Sequence, residues 1–447
     1  MSQASTVTAA TTGRWKLPLA GLFALVTIWG LGLSAWRIAT EGVGILGVNN
    51  GVPWGWDIAL FVFWIGIGHA GTLISAVLLL TRQRWRLPIA RHAELMTLCA
   101  VCTAAVFPLV HVGRAYMLWQ MAPIPQPGGV WPNMASALVW DAAAISSYFL
   151  LSALFWYMGI RGEREQAPLK QRVYARSCML MAGILTPLVI TVHSVVGCDF
   201  AVTFRWQSVI MPPYFVCGAI LSGLAVVQII AILRATEASV TDKLSSLTAA
   251  LSATMGLFYL FELCAAPEHA DALYGGIILL NVGIPILLLS YRKLSRHKLI
   301  RLAAALSILA GMWQERIQII ISRSEHISGI PYSPTQVDVA MLLGSIGLFC
   351  SLYLCISARM PEEKHDPLNI PQASQATAPA IAAAIGFFCG AALTVLWSLS
   401  TQQADTAGVL SSRPHGLFYH FPSILVMGLL GAGLAVVINF IRTIRRA

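Results

Sequence analysis

The chain has 447 residues, of which 57% are hydrophobic and 11% are charged, and its mean hydropathy is +0.72. Soluble globular domains carry about 25% charged residues, so this composition excludes a soluble enzyme of the same length. The formal net charge of +10 is compatible with nucleic-acid binding, but the positions of the basic residues, described below, argue against that class. The sequence predicts an all-α integral membrane protein.

Apolar segments long enough to cross a bilayer recur along the whole chain. A helix of about 20 residues crosses the roughly 30 Å of hydrocarbon. The sequence predicts twelve such spans, at 17–36, 57–80, 91–112, 138–159, 178–198, 213–233, 246–265, 274–291, 302–321, 338–358, 379–399 and 422–441. A polar linker at 360–377 separates a main membrane domain, 1–359, from a C-terminal transmembrane hairpin, 378–447.

The basic residues lie at alternate ends of these spans. Seven segments contain 23 of the 29 Lys and Arg residues: 1–16, 82–92, 161–176, 234–243, 292–301, 359–364 and 442–446. Cytoplasmic loops of membrane proteins carry this excess, so both termini are predicted to be cytoplasmic and the net charge is a signal of topology. A cleaved signal peptide has a shorter apolar core than the first span, so that helix is predicted to be retained.

Ionisable residues lie near the predicted outer ends of several spans. They are Asp57, His111, Asp141, His193, Asp199 and Glu262. Ionisable groups at the edge of a bilayer core are costly and mark functional sites. Because antiparallel neighbours bring such ends together, the sequence predicts a proton-handling site that faces the outer aqueous compartment.

Each of these residues also has a structural interpretation. Asp57 and Asp141 begin spans and fit the role of helix N-cap, although Asp141 follows three apolar residues and is predicted to lie inside its helix. His193 fits an interfacial or hydrogen-bonded structural histidine. His69, about three turns below Asp57, fits a core histidine, and Glu315–Arg316 fits a structural ion pair. The shared depth of several groups is what favours a functional site.

Quinol oxidation suits such a site. A quinol releases two protons when it is oxidised, and an imidazole or a carboxylate can accept them near neutral pH. Haem b would need axial ligands that face each other inside a bundle, and no span carries two histidines spaced for stacked haems. Cys99 and Cys102 form a single C-x-x-C in mid-span and are predicted to be small buried hydrophobes. We therefore expect no haem or iron–sulfur cluster in this chain.

Several long sequence runs resemble one family. GWDIALFVFWIGIGHAGTLISAVL, FPLVHVGR, LVWDAAAISSYFLLSALFWY and HSVVGCDFAVTFRWQSVIMPPYFVCGAILSG resemble the NrfD/polysulfide-reductase membrane subunits. Within that family they are most similar to the larger quinol-oxidising subunit of bacterial alternative complex III, as are GMWQERIQIII and PYSPTQVDVAMLLGSIGLF. The resemblance covers about residues 15–360. The C-terminal hairpin resembles the two-helix membrane part of a small subunit of the same complex, here joined in one chain.

The resemblance implies an architecture and a set of partners. It implies two adjacent four-helix bundles, spans 2–5 and 6–9, in the bacterial inner membrane. It implies a menaquinol or ubiquinol headgroup at the outer side, below a periplasmic iron–sulfur subunit of the molybdopterin-oxidoreductase type. Monohaem or multihaem cytochrome c subunits and a second NrfD-like membrane subunit are the other implied partners. The chain would be an enzyme only as part of that assembly.

The resemblance also assigns roles to residues. The quinol-site histidine of the family falls on His111, its partner aspartate on Asp141, and a third acidic position on Asp199. Asp57 and Arg114, at the same outer level, are predicted to line the quinol site. A possible proton path includes His69, His193, Glu262, Glu315 and Arg316.

Other interpretations of the sequence remain open. The long outer connections 37–56, 113–137 and 199–213 are rich in Pro, Gly and Trp, which fits either interfacial anchors or a docking surface for a partner. A twelve-helix secondary transporter would use His69 and Glu315–Arg316 as a midplane site. A structural or quinone-reducing anchor of a molybdopterin oxidoreductase is the third interpretation, because relatives include both quinol oxidisers and quinone reducers.

Overall fold

A computed structural model describes residues 15–121, 137–203, 211–265 and 272–360 of the chain. Within these ranges the chain is helical and contains no β-strand. This confirms the predicted all-α membrane class. A helix satisfies every backbone polar group within its own segment, as the bilayer interior requires. The predicted spans 379–399 and 422–441, and with them the C-terminal hairpin, lie outside the described residues.

Ten helices in the described ranges correspond in order to the first ten predicted spans. They are α1 Lys16–Glu41, α2 Trp56–Leu80, α3 Arg84–His111, α4 Ala137–Arg164, α5 Pro168–Thr203, α6 Met211–Leu233, α7 Ala238–Ala265, α8 Ala272–Ser290, α9 at 298–328 and α10 Gln336–Ser357. All except α9 are apolar enough and long enough to cross a membrane by composition; α9 is more polar because it carries Glu315 and Arg316. Helix α5 extends beyond the predicted 178–198 at both ends, from Pro168 to Thr203. At its start the added segment is rich in Lys and Arg, which hydropathy excludes from a span.

The helices pack as two groups of four with a separate pair. In the first bundle α2 contacts α3 and α5, and α4 contacts α3 and α5. In the second, α6 contacts α7 and α9, and α8 contacts α7 and α9. Helix α6 also contacts α2 and α5, so it joins the two bundles. Helices α1 and α10 pack on each other, and α10 also rests on α3.

The α1–α10 pair depends on glycines at the crossing. A Cβ atom added to Gly344 would lie 2.6 Å from the Leu31 backbone nitrogen, and one added to Gly347 would lie 2.8 Å from the Phe23 carbonyl oxygen. A Cβ on Gly30 would lie 2.6 Å from the Gly344 Cα atom. Small residues allow two membrane helices to approach closely enough for backbone contact. The crossing therefore holds α1, which otherwise exposes most of its surface.

Local irregularities interrupt several helices. Within the described ranges, π-helical turns occur at Ile28–Gly32 in α1, Leu279–Gly283 in α8 and Gln318–Ser322 in α9. Helix α3 breaks at Ala105, three residues before Pro108, which lacks the N–H needed to continue the hydrogen-bond ladder. Such interruptions often occur at functional sites. The break in α3 lies directly before the segment that carries His111.

Candidate functional site

Asp57 and His111 are joined at the predicted outer end of the first bundle. His111 Nδ1 lies 2.8 Å from Asp57 Oδ2, and the side chains are 25% and 1% exposed, respectively. The other carboxylate oxygen, Asp57 Oδ1, accepts a hydrogen bond from the Gly55 N–H at 3.2 Å. Asp57 thus supports the start of α2 and also holds the imidazole. The N-cap itself is Gly55, so the N-cap role considered for Asp57 is wrong: Asp57 is the second residue of the helix and accepts from the cap residue.

The contact with Asp57 determines which His111 nitrogen is free for chemistry. An ionised carboxylate can only accept, so Nδ1 of His111 is the protonated nitrogen of the neutral ring. The tautomer assigned in this way leaves Nε2 as the atom that can take up a proton. A carboxylate behind an imidazole also stabilises the imidazolium that forms. The pair can accept one proton at a partly exposed edge.

The remaining residues of the predicted quinol site occupy the same end of the first bundle. Asp141 is partly buried near the start of α4, and Arg114 is exposed just beyond the end of α3. Asp199 lies in the last two turns of α5, and its side chain is outside the part of the chain that the structure describes. The observed hydrogen bond of His111 is to Asp57.

Tyr332 and Asp338 lie beside this end and were missed by the sequence analysis. The Tyr332 hydroxyl is 3.0 Å from Asp338 Oδ2 and accepts a hydrogen bond from the Trp56 N–H at 3.3 Å. Thr335 and Asp338 form a capping box at the start of α10. The T-Q-V-D motif was therefore visible in the sequence, but it signals a helix start and gives no sign of the contact with α2.

Two histidines pair deeper in the first bundle. The Nδ1 atoms of His69 and His193 are 2.7 Å apart, and the rings meet edge to face with centroids 4.8 Å apart. Both side chains are buried, and neither Nε2 atom has a hydrogen-bond partner among the described residues. His193 was expected at the outer level. Its pairing with His69 places it deeper, because α5 continues to Thr203 and His193 is not near its end.

Several buried hydroxyl groups lie next to the histidine pair. The Tyr148 ring lies 4.6 Å from that of His69, and the Tyr148 hydroxyl donates to the Gly68 carbonyl at 3.1 Å. Thr97 donates to the same carbonyl at 2.6 Å and accepts from the Thr72 N–H at 2.8 Å. Buried hydroxyls that bridge helices in this way connect α2, α3 and α4.

A separate ionic cluster that the sequence analysis did not predict lies about one turn further along α2 and α3. Ser75 donates to Glu94 at 2.5 Å, and Arg91 contacts Glu94 at 2.6 Å and Glu163 at 2.5 Å. The sequence analysis counted Arg91 only among the basic residues that mark the inner side of the membrane. Its burial follows from the start of α3 at Arg84, which places Arg91 about two turns inside the helix.

The second bundle contains its own buried polar group. The Tyr259 hydroxyl donates to Glu315 and accepts from the Asn281 amide at 2.8 Å. Glu315 Oε1 and Arg316 Nη1 are 3.3 Å apart, and both side chains are buried. The predicted Glu315–Arg316 contact is therefore present, and it is tied to two neighbouring helices, α7 and α8. Glu262 is also buried in α7, where it acts electrostatically on Tyr274.

One aromatic ring connects the two bundles. The Arg316 guanidinium carbon lies 4.4 Å from the centroid of the Phe215 ring, which is 6.0 Å from that of His193. A cation over an aromatic face is a favourable contact in a desolvated setting. The histidine pair and the Glu315–Arg316 pair therefore flank the same residue of α6.

The two cysteines of the C-x-x-C differ in their surroundings. Both are free thiols, but Cys99 is buried and Cys102 is exposed on the outside of the bundle. The prediction of a buried thiol is thus confirmed for Cys99 and wrong for Cys102. In residues 15–121, 137–203, 211–265 and 272–360, no group of three or more His, Cys, Asp or Glu side chains could hold a metal ion.

The outer tryptophans also differ in their surroundings. Trp54 is half-buried, and its ring lies edge to face on Phe200 with centroids 5.5 Å apart. Trp119 is 48% exposed, in the short helix Ala115–Met121 that follows α3. Trp131 lies outside the described residues. Trp54 therefore packs within the protein, whereas exposed Trp119 is compatible with both an interfacial anchor and a docking surface.

Comparison with known proteins gives a consistent assignment. Residues 44–328 match the family described as polysulphide reductase, NrfD. A Halobacterium salinarum protein that is named as a membrane component of a dimethyl sulfoxide reductase is 24% identical over 409 residues, which cover 78% of this chain and 92% of the relative. The Hdr-like menaquinol oxidoreductase integral membrane subunit of Archaeoglobus fulgidus is 24% identical over 203 residues, 45% of this chain and 47% of that protein. The chain therefore belongs to the NrfD, or polysulphide reductase, family of multi-pass membrane proteins.

Proposed function

We propose that this chain is the quinol-oxidising membrane subunit of a respiratory complex related to alternative complex III. The observation that carries the proposal is the His111–Asp57 pair, a proton-accepting unit at a partly exposed helix end. The similarity to a menaquinol oxidoreductase subunit supports menaquinol as one candidate substrate. Electrons would pass to a periplasmic iron–sulfur partner of the molybdopterin-oxidoreductase type, and from there to cytochrome c subunits.

The residues of the outer site are proposed to take different roles in the oxidation of one quinol. Oxidation of one quinol releases two electrons and two protons, and the electrons go to the iron–sulfur partner. Nε2 of His111 accepts one proton while Asp57 stabilises the charged ring. Asp141 is the proposed acceptor of the second proton, with Asp199 as the third acidic residue. Arg114 is proposed to contact the headgroup.

The buried groups below this site are proposed to form a proton path. His69 and His193 share one hydrogen bond, so one ring donates and the other accepts, and rotation or tautomer exchange can reverse the roles. Phe215 separates them from Arg316, and Glu315 and Glu262 lie beyond. The Ser75–Glu94–Arg91 cluster would provide the inner end of the path in the first bundle.

A second candidate function has one observation in its favour. The match with the Halobacterium relative spans 92% of that protein, which is named as part of a dimethyl sulfoxide reductase. This favours a membrane anchor of a reductase, in which the same outer site could exchange electrons in the opposite direction. The secondary-transporter interpretation has no comparable support, because the family match covers most of the main membrane domain.

Substitution at the outer pair tests the proposed function. In the purified complex, His111→Gln and Asp57→Asn should each lower quinol oxidation by about 10²- to 10⁴-fold, the range for a general acid–base residue. The double variant should be far less than additive, because the two side chains act as one unit. Asp141→Asn should cause a loss of similar size if it accepts the second proton. The measurement is quinol-dependent reduction of the complex's own acceptor.

A matched control is available on α9. His326 is exposed near the predicted outer end, so His326→Gln should leave the rate unchanged. Normal turnover in an assembled His111→Gln complex would remove the proposed site. The other outcome is that the unaltered complex reduces quinone but does not oxidise quinol, and that His111→Gln loses this quinone reduction. That outcome would support a membrane anchor of a reductase instead.

A further inference from the structure

A second buried carboxylate lies close to Asp57 at the outer end. Asp338, in the first turn of α10, is fully buried, and its Oδ2 atom accepts hydrogen bonds from the Thr335 N–H at 2.8 Å and the Thr335 hydroxyl at 3.0 Å. Its Oδ1 atom has no hydrogen-bond partner among the residues that the structure describes. An unpartnered buried oxygen is costly for a helix cap alone. Asp338 also lies beyond residues 44–328, the part that matches the family.

Tyr332 connects Asp338 to the residues around Asp57. Its hydroxyl accepts from the Trp56 N–H, next to Asp57, and can donate to Asp338 Oδ2 at 3.0 Å or to the Leu46 carbonyl at 3.1 Å. Asp57 acts electrostatically on both Tyr332 and Asp338. Burial and the Asp338 carboxylate raise the pKa of Tyr332. The hydroxyl therefore keeps a proton, and it can pass one on only when it receives another.

We propose that Asp338 is the proton-release residue of the outer site and that Tyr332 delivers to it the proton taken up by the His111–Asp57 pair. The inference rests on the proposed function. In the transfer, the Tyr332 O–H bond breaks as an O–H bond forms on Asp338, and Tyr332 regains a proton from the Asp57 side through one water. Asp338 then releases its proton to the outer water. No electron moves in these steps.

Electrostatics and location both fit this role. Like charges on Asp57 and Asp338 repel in a buried setting, which favours movement of a proton between them over ionisation of both. The titratable group in contact with Asp338 is Tyr332, and the charge of Asp57 also disfavours ionisation of Asp338. The loop that carries Tyr332 also contains Ser333 and Pro334, which are exposed. The proposed route therefore ends beside the surface.

The alternative is that Asp338 only caps α10, and three substitutions separate the two roles. Asp338→Asn keeps an oxygen that can accept from the Thr335 N–H but cannot carry a proton away. Tyr332→Phe removes the connecting hydroxyl and leaves the cap intact. Thr335→Ala removes the side-chain half of the capping box and leaves the carboxylate in place.

The experiment measures quinol turnover and proton release by the full complex in sealed vesicles. Asp338→Asn and Tyr332→Phe should each lower kcat by about tenfold or more, below the range for a direct acid–base residue, with KM for quinol unchanged. Proton release should lag behind electron transfer in both variants. Asp338→Glu should restore most of the rate, and Thr335→Ala should behave as the unaltered protein.

Several results would overturn the inference. An equal loss in Thr335→Ala and Asp338→Asn would reduce Asp338 to a cap. Normal kcat in either Asp338→Asn or Tyr332→Phe, or no rescue by Asp338→Glu, would exclude the route. If these variants are normal while His111→Gln is inactive, the release route fails and the quinol site stands. Normal activity in His111→Gln as well would remove the proposed function itself.

Discussion

Asp57 shows how one residue can satisfy both a structural and a chemical requirement. Its two oxygens accept from the Gly55 N–H and contact His111 Nδ1, so neither is left without a partner. The sequence predicted these two contacts only in part. Sequence spacing placed Asp57 and His111 at the same outer level, because each lies at the end of a long apolar run. It could not choose among Asp57, Asp141 and Asp199 as the contact of His111, since side-chain pairing depends on helix rotation.

The position of His193 shows how far the depth of a residue along a membrane helix can be estimated from sequence. The predicted end of the fifth span at residue 198 placed His193 near the surface. The helix continues to Thr203, ten residues beyond His193 or about 15 Å of helix rise. The predicted span ended before the charged residue Asp199, although the helix continues through it, so the meeting of His193 with His69 was not predictable.

Substitution of the histidine pair should separate proton movement from quinol oxidation. His69→Phe removes the shared hydrogen bond but leaves His111 and Asp57 untouched. We expect quinol oxidation to continue in this variant, at a rate that does not change when an uncoupler is added. Any transmembrane proton movement in vesicles should be lost. His193→Phe should match it. Unchanged proton movement in both variants would exclude the pair from the path.

Arg91 should be important for stability because it compensates one buried carboxylate, Glu94, and one partly buried carboxylate, Glu163. Arg91→Leu leaves Glu94 and Glu163 without their cation, and loss of one partner of a buried ion pair costs about 3–5 kcal/mol. The measurement is thermal or denaturant unfolding of the detergent-solubilised protein. Arg37→Leu is the control, because Arg37 pairs with Glu41 on an exposed turn of α1. Equal stability of the two variants would contradict the buried role.

At the scale of helices, glycine contacts determine how α1 joins the rest of the molecule. The α1–α10 crossing brings backbone atoms together at Gly30, Gly344 and Gly347. The sequence predicted both helices but not their contact, because neighbouring spans in a bundle are the usual partners and these two are separated by eight others. The close approach could have been suspected from the Gly344-x-x-Gly347 spacing on α10.

Widening that crossing should weaken it. Gly344→Leu places a side chain where only backbone fits, and overpacking of this kind costs about 1–3 kcal/mol. Gly21→Leu is the matched control and should be neutral, because Gly21 lies on the partner helix α1 at a position with nothing within 4 Å. Unfolding in detergent and protection of α1 from added protease are the measurements. A Gly21→Leu variant as unstable as Gly344→Leu would show that bulk alone is responsible.

At the scale of the whole molecule, the basic residues set orientation. The segment 161–176 connects α4 and α5 and contains Arg161, Arg164, Lys170, Arg172 and Arg176. If this side is cytoplasmic, the His111–Asp57 pair faces the opposite compartment, where an iron–sulfur partner could dock. Exposed Trp119 lies on that same outer side. Sidedness stays a prediction from the sequence, which rests on charge bias because that bias acts during insertion and does not depend on packing.

A topology reporter checks this orientation. Fusion after Gly162 should give cytoplasmic reporter activity, and fusion after Gly128 should give periplasmic activity, because the intervening α4 crosses once. The reverse pattern would move the proposed quinol site to the other side of the membrane. Equal activity at both positions would show that α4 does not cross.

Because of the π-helical turn Gln318–Ser322, the loss of a single residue from α9 would change the orientation of everything after that turn. Such a turn holds one residue more than the α-helical ladder needs, so removal of one codon from it would restore regular helix. Everything downstream would then turn by about 100°, given 3.6 residues per turn. Glu325, whose carboxylate accepts from the Tyr332 N–H at 2.6 Å, would leave its place while Glu315 and Arg316 kept theirs. The extra residue thus determines how the outer loop is rotated about the helix axis relative to the buried ion pair. Relatives that lack this residue would show a one-residue gap at this turn and a different outer loop after it.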